Sequence, residues 1–449
     1  MPLSEPRDSA IGIIGDGFGS LMVYATAVFM GFDLGQVTVF GQSDTPVGTY
    51  QELAINLRQT LLRSESESHF LPADWPTLAE LDAWARRTVA PLVRSAARKY
   101  NPSLPDVMTQ ANVVARALGW NDNRMPSRVG WIERVDEGTP HFVMYDEEGR
   151  PLGRARHVML TLGHGPLSFP PILAKAREDP TLAGHIVHAY EPKEYAPGGR
   201  YVVIGAGIAA VNEWVNGLDA GAKVLSLLRR PAAAVQDLNT PRCMFEALGI
   251  DRFQGVSLDD RLLFLRKILK GTSPARRKWT DTISRGQREG RFDQVIGEID
   301  HVEPASGGLR IHVARRFEQD IGWLDVSGVV AGTGFNTSAL ATPLLRRLID
   351  LYGLPVREGR IVLRSNCGIP GLDQPESRLC MMGIQANSVI PHGDTIAGLK
   401  YIARRFAADC VRAEGIRHRR FPSRLNLQLT LASLASRAIR ELPPLEQLA

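Results

Sequence analysis

The sequence predicts an α/β chain of two Rossmann-like dinucleotide-binding domains, each doubly wound and three-layered, with the second inserted in the first. Three observations carry this. Residues 10–20 read AIGIIGDGFGS and residues 200–210 read RYVVIGAGIAA. Each sets a β-branched run, a glycine turn and a helix-compatible stretch in register, which separates a dinucleotide-binding turn from a chance Gly-x-Gly. Two further apolar runs, VMLTLG at 158–163 and VVAGTGF at 329–335, end in Thr and Gly, small residues that let a chain cross beneath a large ligand.

Residues 11–14 are expected to form a buried parallel strand, 20–32 its helix and 36–40 the next strand, a β-α-β unit of ordinary size. Residues 51–100 are polar and helix-like, with Leu78, Leu81, Trp84 and Ala85 at helical spacing. The stretch 102–105 reads as a break. Strands at 129–135, 141–145 and 157–162 form a meander, punctuated by Asp136-Glu137-Gly138 and Glu148-Gly149. The second unit has a strand at 201–204, a helix at 208–219, Gly221, and a strand at 223–228. Residues 231–290 read as largely helical and Arg-rich. Strands recur at 294–299, 309–314 and 326–331, and a helix spans 395–412. Beyond Gly415 a basic tail, RHRRFPSR, leads to 425–434, a docking helix or a peripheral arm. The expected layout is a first domain from 1–170 and 330–418, a second from 195–325, and a C-terminal tail or arm at 419–449.

At 449 residues, 44% apolar and 22% charged, the chain has an ordinary globular composition with room for two or three domains. The net charge of +5 is diffuse, with arginine pairs at Arg86-Arg87, Arg229-Arg230, Arg315-Arg316 and Arg404-Arg405. No basic block is dense enough for a nucleic-acid arm. Cys243, Cys367, Cys380 and Cys410 form no CxxC, so neither a local metal site nor a redox dithiol is encoded, and a reduced, cytoplasmic setting is expected. The polar N-terminus lacks a secretory signal pattern. The apolar run 10–32 carries Gly12, Gly15, Gly17, Gly19, Gly31 and Asp16, and so reads as a buried β-α unit and not as a membrane span. Neither a nucleic-acid nor a membrane partner is expected, and a homo-oligomer is left open.

In the first turn Gly15 permits the tight bend, Gly17 lets backbone approach a pyrophosphate, and Ser20 occupies the small third position. The helix start offers amides and a positive dipole end to phosphate. The following strand ends Phe40-Gly41-Gln42, so the acid that would hold a ribose hydroxyl there is missing, and Gln42 or Ser43 is the substitute. In the second turn Gly205, Gly207 and Ala210 match in full. Its second strand ends Leu228-Arg229-Arg230. Arginine there accommodates a 2′-phosphate, favouring NADPH over NADH unless the pair is plain solvated surface. No HExxH, Walker loop or GxSxG motif competes.

This set resembles the two-dinucleotide flavoproteins, and more narrowly the NADPH-dependent flavin monooxygenases, which include the flavin-containing and the N-hydroxylating enzymes. The resemblance covers residues 10–415. It implies FAD on the first turn and NADPH on the second, with Gly163 and Gly334 at the crossings. The family's linker fingerprint, Phe-x-Gly-x-x-x-His-x-x-x-aromatic, is matched by 182–192 at Gly184 and His188. Leu182 replaces Phe and Pro192 stands at the aromatic position, with Tyr190 or Tyr195 as replacement. His188 is thereby implied at the cofactors, with a packed linker residue as the other reading. Residues 61–69 and Asp74-Trp75-Pro76 resemble the loop beside the flavin ring, which gives Arg63 and Ser64 catalytic roles, Arg63 by offsetting negative charge on the flavin. Residues 387–395 resemble the segment aiming a helix start at the flavin, with Asp394 as N-cap and Asn387 and His392 toward the substrate; His392 also reads as a plain turn residue. The implied function is an FAD-dependent, NADPH-using monooxygenase that transfers oxygen from O2 to a small-molecule substrate through a flavin hydroperoxide. An FAD-dependent NAD(P)H reductase or dehydrogenase without oxygen insertion, and a non-catalytic nucleotide-binding protein, remain as alternatives.

Overall fold

The computed structural model describes residues 6–230, 242–267, 273–274, 277–314, 321–417 and 423–438; the expectations for 231–241, for Arg315-Arg316, and for the tail at 418–422 and 439–449 lie outside these residues. Strand β1 (Arg7–Ile14) leads into the first glycine turn, and α1 (Phe18–Met30) returns along it. Every residue of α1 from Ser20 to Val28 is buried, the pattern of a helix enclosed on all sides within a domain. That enclosure explains an apolar run of membrane-like length. Among the described residues no helix is long and apolar enough to cross a membrane. β2 (Val37–Phe40) lies parallel to β1, with Ile11 opposite Val37.

Four helices follow: α2 (Gly48–Asn56), α3 (Leu78–Arg86), α4 (Ala90–Ala96) and α5 (Leu104–Ala117). α3 carries the predicted spacing and is capped by a reciprocal Thr77–Glu80 box. The expected break at 102–105 is instead the start of α5, because Ser103 is its N-cap and Pro105 falls in the first turn, where a missing amide costs no helix bond. β3 (Arg124–Met125), β4 (Trp131–Val135), β5 (His141–Tyr145) and β6 (Pro151–Leu160) extend the first sheet. Its order is β3-β2-β1-β6-β5-β4, the meander lying antiparallel on one edge.

α6 (Pro171–Ala176) and α7 (Pro180–Ala183) lead to the second unit: β7 (Ile186–His188), β8 (Arg200–Ile204), α8 (Ile208–Asp219) and β9 (Lys223–Leu228). Helices α9 (Ala247–Gln254), α10 (Leu258–Lys267) and α11 (Arg277–Arg288) precede β10 (Phe292–Ile296), and β11 (Glu298–Ala305), β12 (Gly308–Ala314) and β13 (Gly322–Val326) form an antiparallel sheet. β14 (Gly328–Ala331) closes the parallel sheet, ordered β10-β9-β8-β14-β7. The expected strand at 294–299 is therefore two strands in two sheets. They part at Gly297, where a Cβ would stand 2.7 Å from the Ala314 carbonyl oxygen. The one at 326–331 likewise parts at Ser327. Separate apolar clusters line the two faces of this sheet.

The chain then returns to the first unit through α12 (Pro343–Tyr352), the hairpin of β15 (Val356–Arg357) and β16 (Arg360–Ile361), and β17 (Arg378–Met381), which adds parallel to β6. α13 (Ile396–Ala413) packs on α1, and α14 (Ser423–Ala438) packs on α3 and α5 with Leu429 and Ser433 fully buried. The segment 425–434 is thus a docked helix.

Candidate functional site

The two glycine turns share one construction. Gly15 has φ 115°, and a Cβ on it would sit 2.4 Å from the Thr161 carbonyl oxygen just beyond β6; Gly205 has φ 112° and faces the Gly332 carbonyl oxygen at 2.5 Å beyond β14. The Thr161 amide and hydroxyl both donate to the Ile14 carbonyl, at 2.8 and 3.0 Å. Each crossing strand therefore presses against its glycine turn from below. Above the first turn and at both crossings the space is open: a Cβ on Gly17, Gly163 or Gly334 would meet no atom within 4 Å. Gly17 and Gly207 are the N-caps of α1 and α8 without side-chain caps, so the first amides of both helices are left for an anionic ligand.

Ser20 and Ala210 are fully buried and act as spacers, not ligand contacts. The Ser20 hydroxyl donates to the Gly17 carbonyl at 2.8 Å. Close helix approach also rests on Gly19, which the motif reading passed over; its Cβ would lie 2.9 Å from Met382 Sδ. At the end of β2 the Gln42 side chain is exposed, and Arg124 donates to the Gly41 and Gln42 carbonyls at 3.0 and 3.4 Å. Arg229 and Arg230 are exposed immediately after β9.

His188, expected at the cofactors or as a packed linker residue, lies within the linker, with Nε2 lacking a protein hydrogen bond. It is fully buried, its backbone amide donates to Glu191 at 2.6 Å, and its ring packs against Phe169 and Tyr190. Tyr190 in turn stacks on Phe335, and Phe335 on His164. Tyr190 thus supplies the aromatic that Pro192 lacks, locking the two crossovers together. Tyr195 points elsewhere and donates to the buried Glu213 carboxylate at 2.6 Å. Burial pushes the Glu213 carboxyl up to about 7, with Lys193 3.5 Å away opposing that shift.

The loop carrying Arg63 and Ser64 is strapped across the start of α1. Phe70 packs on Phe18 at 4.8 Å, Asn101 donates to the Leu62 carbonyl at 3.0 Å, and Lys400 and Arg404 of α13 hold His69 and Asp74. Arg63 and Ser64 are both half-buried. Burial pushes the Lys400 ammonium down to about 7 and keeps His69 neutral.

The third wall is the tight turn at 383–388 and the approach to α13. Gln385, Asn387, Ser388 and His392 are buried, and Gln385 Oε1, Asn387 Oδ1, Ser388 Oγ and His392 Nδ1 have no protein hydrogen bond. Buried polar atoms are ordinarily paired, so this orphaned set fits a wall that meets a ligand. Arg360 donates to the Ile384 carbonyl at 2.6 Å, Arg261 to Ser388 at 2.9 Å and Gln254 to Val389 at 3.3 Å. Phe245 covers His392 with ring centres 4.4 Å apart. Burial pushes His392 down to about 4. None of Phe245, Gln254, Arg261 and Arg360 carries a local sequence signal, since each lies far along the chain from the turn it supports. Asp394 is half-buried and is not the cap of α13. Thr395 is the cap, its hydroxyl accepting the Gly398 amide at 3.1 Å.

Cys367, Cys380 and Cys410 are buried, with thiols pushed up by burial, and Cys243 is exposed. No group of three or more His, Cys, Asp or Glu among the described residues is placed to hold a metal. A cavity of about 400 Å³ lined by His185, Lys193, Tyr195 and Ser327 lies toward the amino ends of β8 and β14, whereas ligands of open α/β sheets bind at the carboxyl ends.

No family model matches this sequence, and no curated protein does. Solved structures do. The chain is similar to the FAD-bound cadaverine monooxygenase of the desferrioxamine pathway from Erwinia amylovora, at 15% identity and TM-score 0.70, over 93% of this chain and 97% of that one. It is similar to L-lysine 6-monooxygenase from Pseudomonas syringae, at 16% identity and TM-score 0.69, over 90% and 99%. The Kutzneria ornithine N-hydroxylase, solved with reduced FAD, NADP+ and L-ornithine, superposes at 16% identity and TM-score 0.67, over 91% and 100%. At these identities the likeness establishes the fold: two nucleotide-binding units arranged as in flavin-dependent N-hydroxylating monooxygenases.

Proposed function

We propose that this chain is a cytoplasmic, FAD-dependent, NADPH-using monooxygenase that N-hydroxylates a small aliphatic amine. The observation that carries the proposal is the pair of glycine turns, with open space at Gly17, Gly163 and Gly334, together with the orphaned polar wall of Gln385, Asn387, Ser388 and His392. The amine class is supported by the substrates named for the similar structures, cadaverine, lysine and ornithine.

In this reading Gly15, Gly17 and the first amides of α1 hold FAD, with Gly163 at the crossing. Gly205, Gly207 and the first amides of α8 hold NADPH, with Gly334 at the crossing and Arg229 and Arg230 on the 2′-phosphate. Bound FAD supplies acceptance of a hydride from NADPH and activation of O2; the protein binds, orients and excludes water. Arg63 supplies fixed positive charge at the flavin, with Ser64 beside it. Asn387 Oδ1 and Ser388 Oγ accept hydrogens from the amine. His392, held neutral by burial, is an uncharged hydrogen-bonding group that does not repel a cationic substrate.

Purified protein should take up FAD and turn yellow, be bleached by NADPH without oxygen, and couple NADPH oxidation to O2 uptake and hydroxylamine formation from diamines and basic amino acids. Bleaching with all the O2 recovered as H2O2 across that panel would overturn oxygen insertion and favour an FAD-dependent NAD(P)H oxidoreductase. Failure to take up FAD would overturn both.

A further inference from the structure

The carboxylate missing from the end of β2 is present in space, supplied by the glycine turn itself. A Cβ on Gly41 would stand 2.4 Å from Asp16 Cβ and 2.8 Å from Asp16 Oδ2. Position 41 is therefore empty because the side chain of Asp16 fills it. The Ser43 amide donates to Asp16 Oδ2 at 2.7 Å, fixing the carboxylate against the strand end. Arg124 on the Gly41 carbonyl and the Gly41 amide on the Met125 carbonyl, at 3.0 and 3.1 Å, hold that end in place. Asp16 Oδ1 has no protein hydrogen bond among the described residues, and the residue is half-buried between Gly15 and Gly17, at the open turn. In a dinucleotide-binding unit, an acid at the end of the second strand binds the ribose hydroxyls of the adenosine half. Here turn and strand end have exchanged residues: the turn carries the acid and the strand end carries the glycine.

We infer that Asp16 is the ribose-binding acid of the first nucleotide site, accepting the adenosine ribose hydroxyls at Oδ1 while the Ser43 amide holds Oδ2. The inference rests on the reading that this turn binds FAD. It also assigns the first site a preference for an unphosphorylated adenosine ribose, since a 2′-phosphate would meet a like charge there.

The test is FAD titration of the full-length apoprotein, followed by flavin fluorescence, for wild type, Asp16→Asn, Asp16→Gly and the double variant Asp16→Gly with Gly41→Glu. Asp16→Asn keeps shape and the Ser43 contact, and its apoprotein should unfold at the wild-type temperature. It should weaken FAD binding about tenfold or more, the usual scale for losing a hydrogen bond to a charged group. The double variant, with the acid returned to the strand, should bind FAD more tightly than Asp16→Gly. FAD carrying a 2′,3′-dideoxyadenosine half should bind wild type about as weakly as Asp16→Asn binds FAD, and should bind both proteins alike. Unchanged FAD affinity in Asp16→Asn, or an equal loss for the dideoxy analogue in both proteins, would overturn the role of Asp16 alone. A wild-type protein that binds no FAD would overturn the functional reading beneath it.

Discussion

A methyl group at Gly15 would meet the Thr161 carbonyl and would have to hold a φ of 115°, whereas one at Gly17 would meet nothing. Gly15→Ala should therefore lose about 1–3 kcal/mol of stability, read from urea unfolding. Gly17→Ala should unfold like wild type yet retain FAD poorly, because the methyl occupies the space where backbone must approach the pyrophosphate. At the second site, Arg229→Ala and Arg230→Ala together should raise the KM for NADPH about tenfold or more while leaving NADH unchanged; equal effects on both nucleotides would remove the 2′-phosphate role. The glycines were legible because a positive φ or a close approach leaves no other residue. Asp16 was not, since its meaning depends on Gly41 and Ser43 more than twenty positions away.

Helix boundaries show what elements add to residues. The run 10–32 has the apolar length of a span but reads as a buried β-α unit, and the burial of α1 from Ser20 to Val28 accounts for that composition. The cap of α13 passes from Asp394 to Thr395 because only the latter's hydroxyl reaches the Gly398 amide. α14 is fastened by a buried ion pair, Arg437 to Asp82 at 2.7 Å, and Tyr100 donates to the same carboxylate. Arg437→Ala leaves Asp82 buried without its cation. It should cost about 3–5 kcal/mol, measured by urea unfolding, and should loosen α14 from α3 and α5, measured as faster amide exchange there. A loss below about 1 kcal/mol, the value of an exposed pair, would show that α14 contributes little to the folded core.

At the scale of the molecule, His69, His188 and His392 among the described residues are folded in as neutral groups, with burial the largest cause for each: His69 held well below its usual range, and His188 and His392 pushed down to about 4. Each folded value lies below the unfolded 6.5, so the unfolded chain takes up protons first as pH falls. The stability these rings contribute should be full above about pH 6.5 and be lost as pH falls, the His188 and His392 parts between 6.5 and about 4. His188 and His392 each contribute at most about 3 kcal/mol to this loss. Glu213 acts in the opposite sense: raised from 4.5 to about 7, it withdraws stability as pH rises through that window. Urea unfolding from pH 8 to 4 should show the acid loss, and His188→Gln and His392→Gln should each flatten it; an unchanged slope in both would show that neither ring is buried neutral. What the sequence determined by itself was the pair of nucleotide units and their crossing strands, because a strand–turn–helix is encoded by neighbours in the chain. The tertiary structure decided the rest: that Asp16 stands where Gly41 has no side chain, that His188 locks the linker, and that Arg261, Arg360 and Gln254 collar the turn at 383–388. Apart from His188, which meets Tyr190, Glu191 and Phe169 close by in the chain, those contacts join residues separated by 24 to 135 positions, and local periodicity carries no record of which distant side chain will arrive.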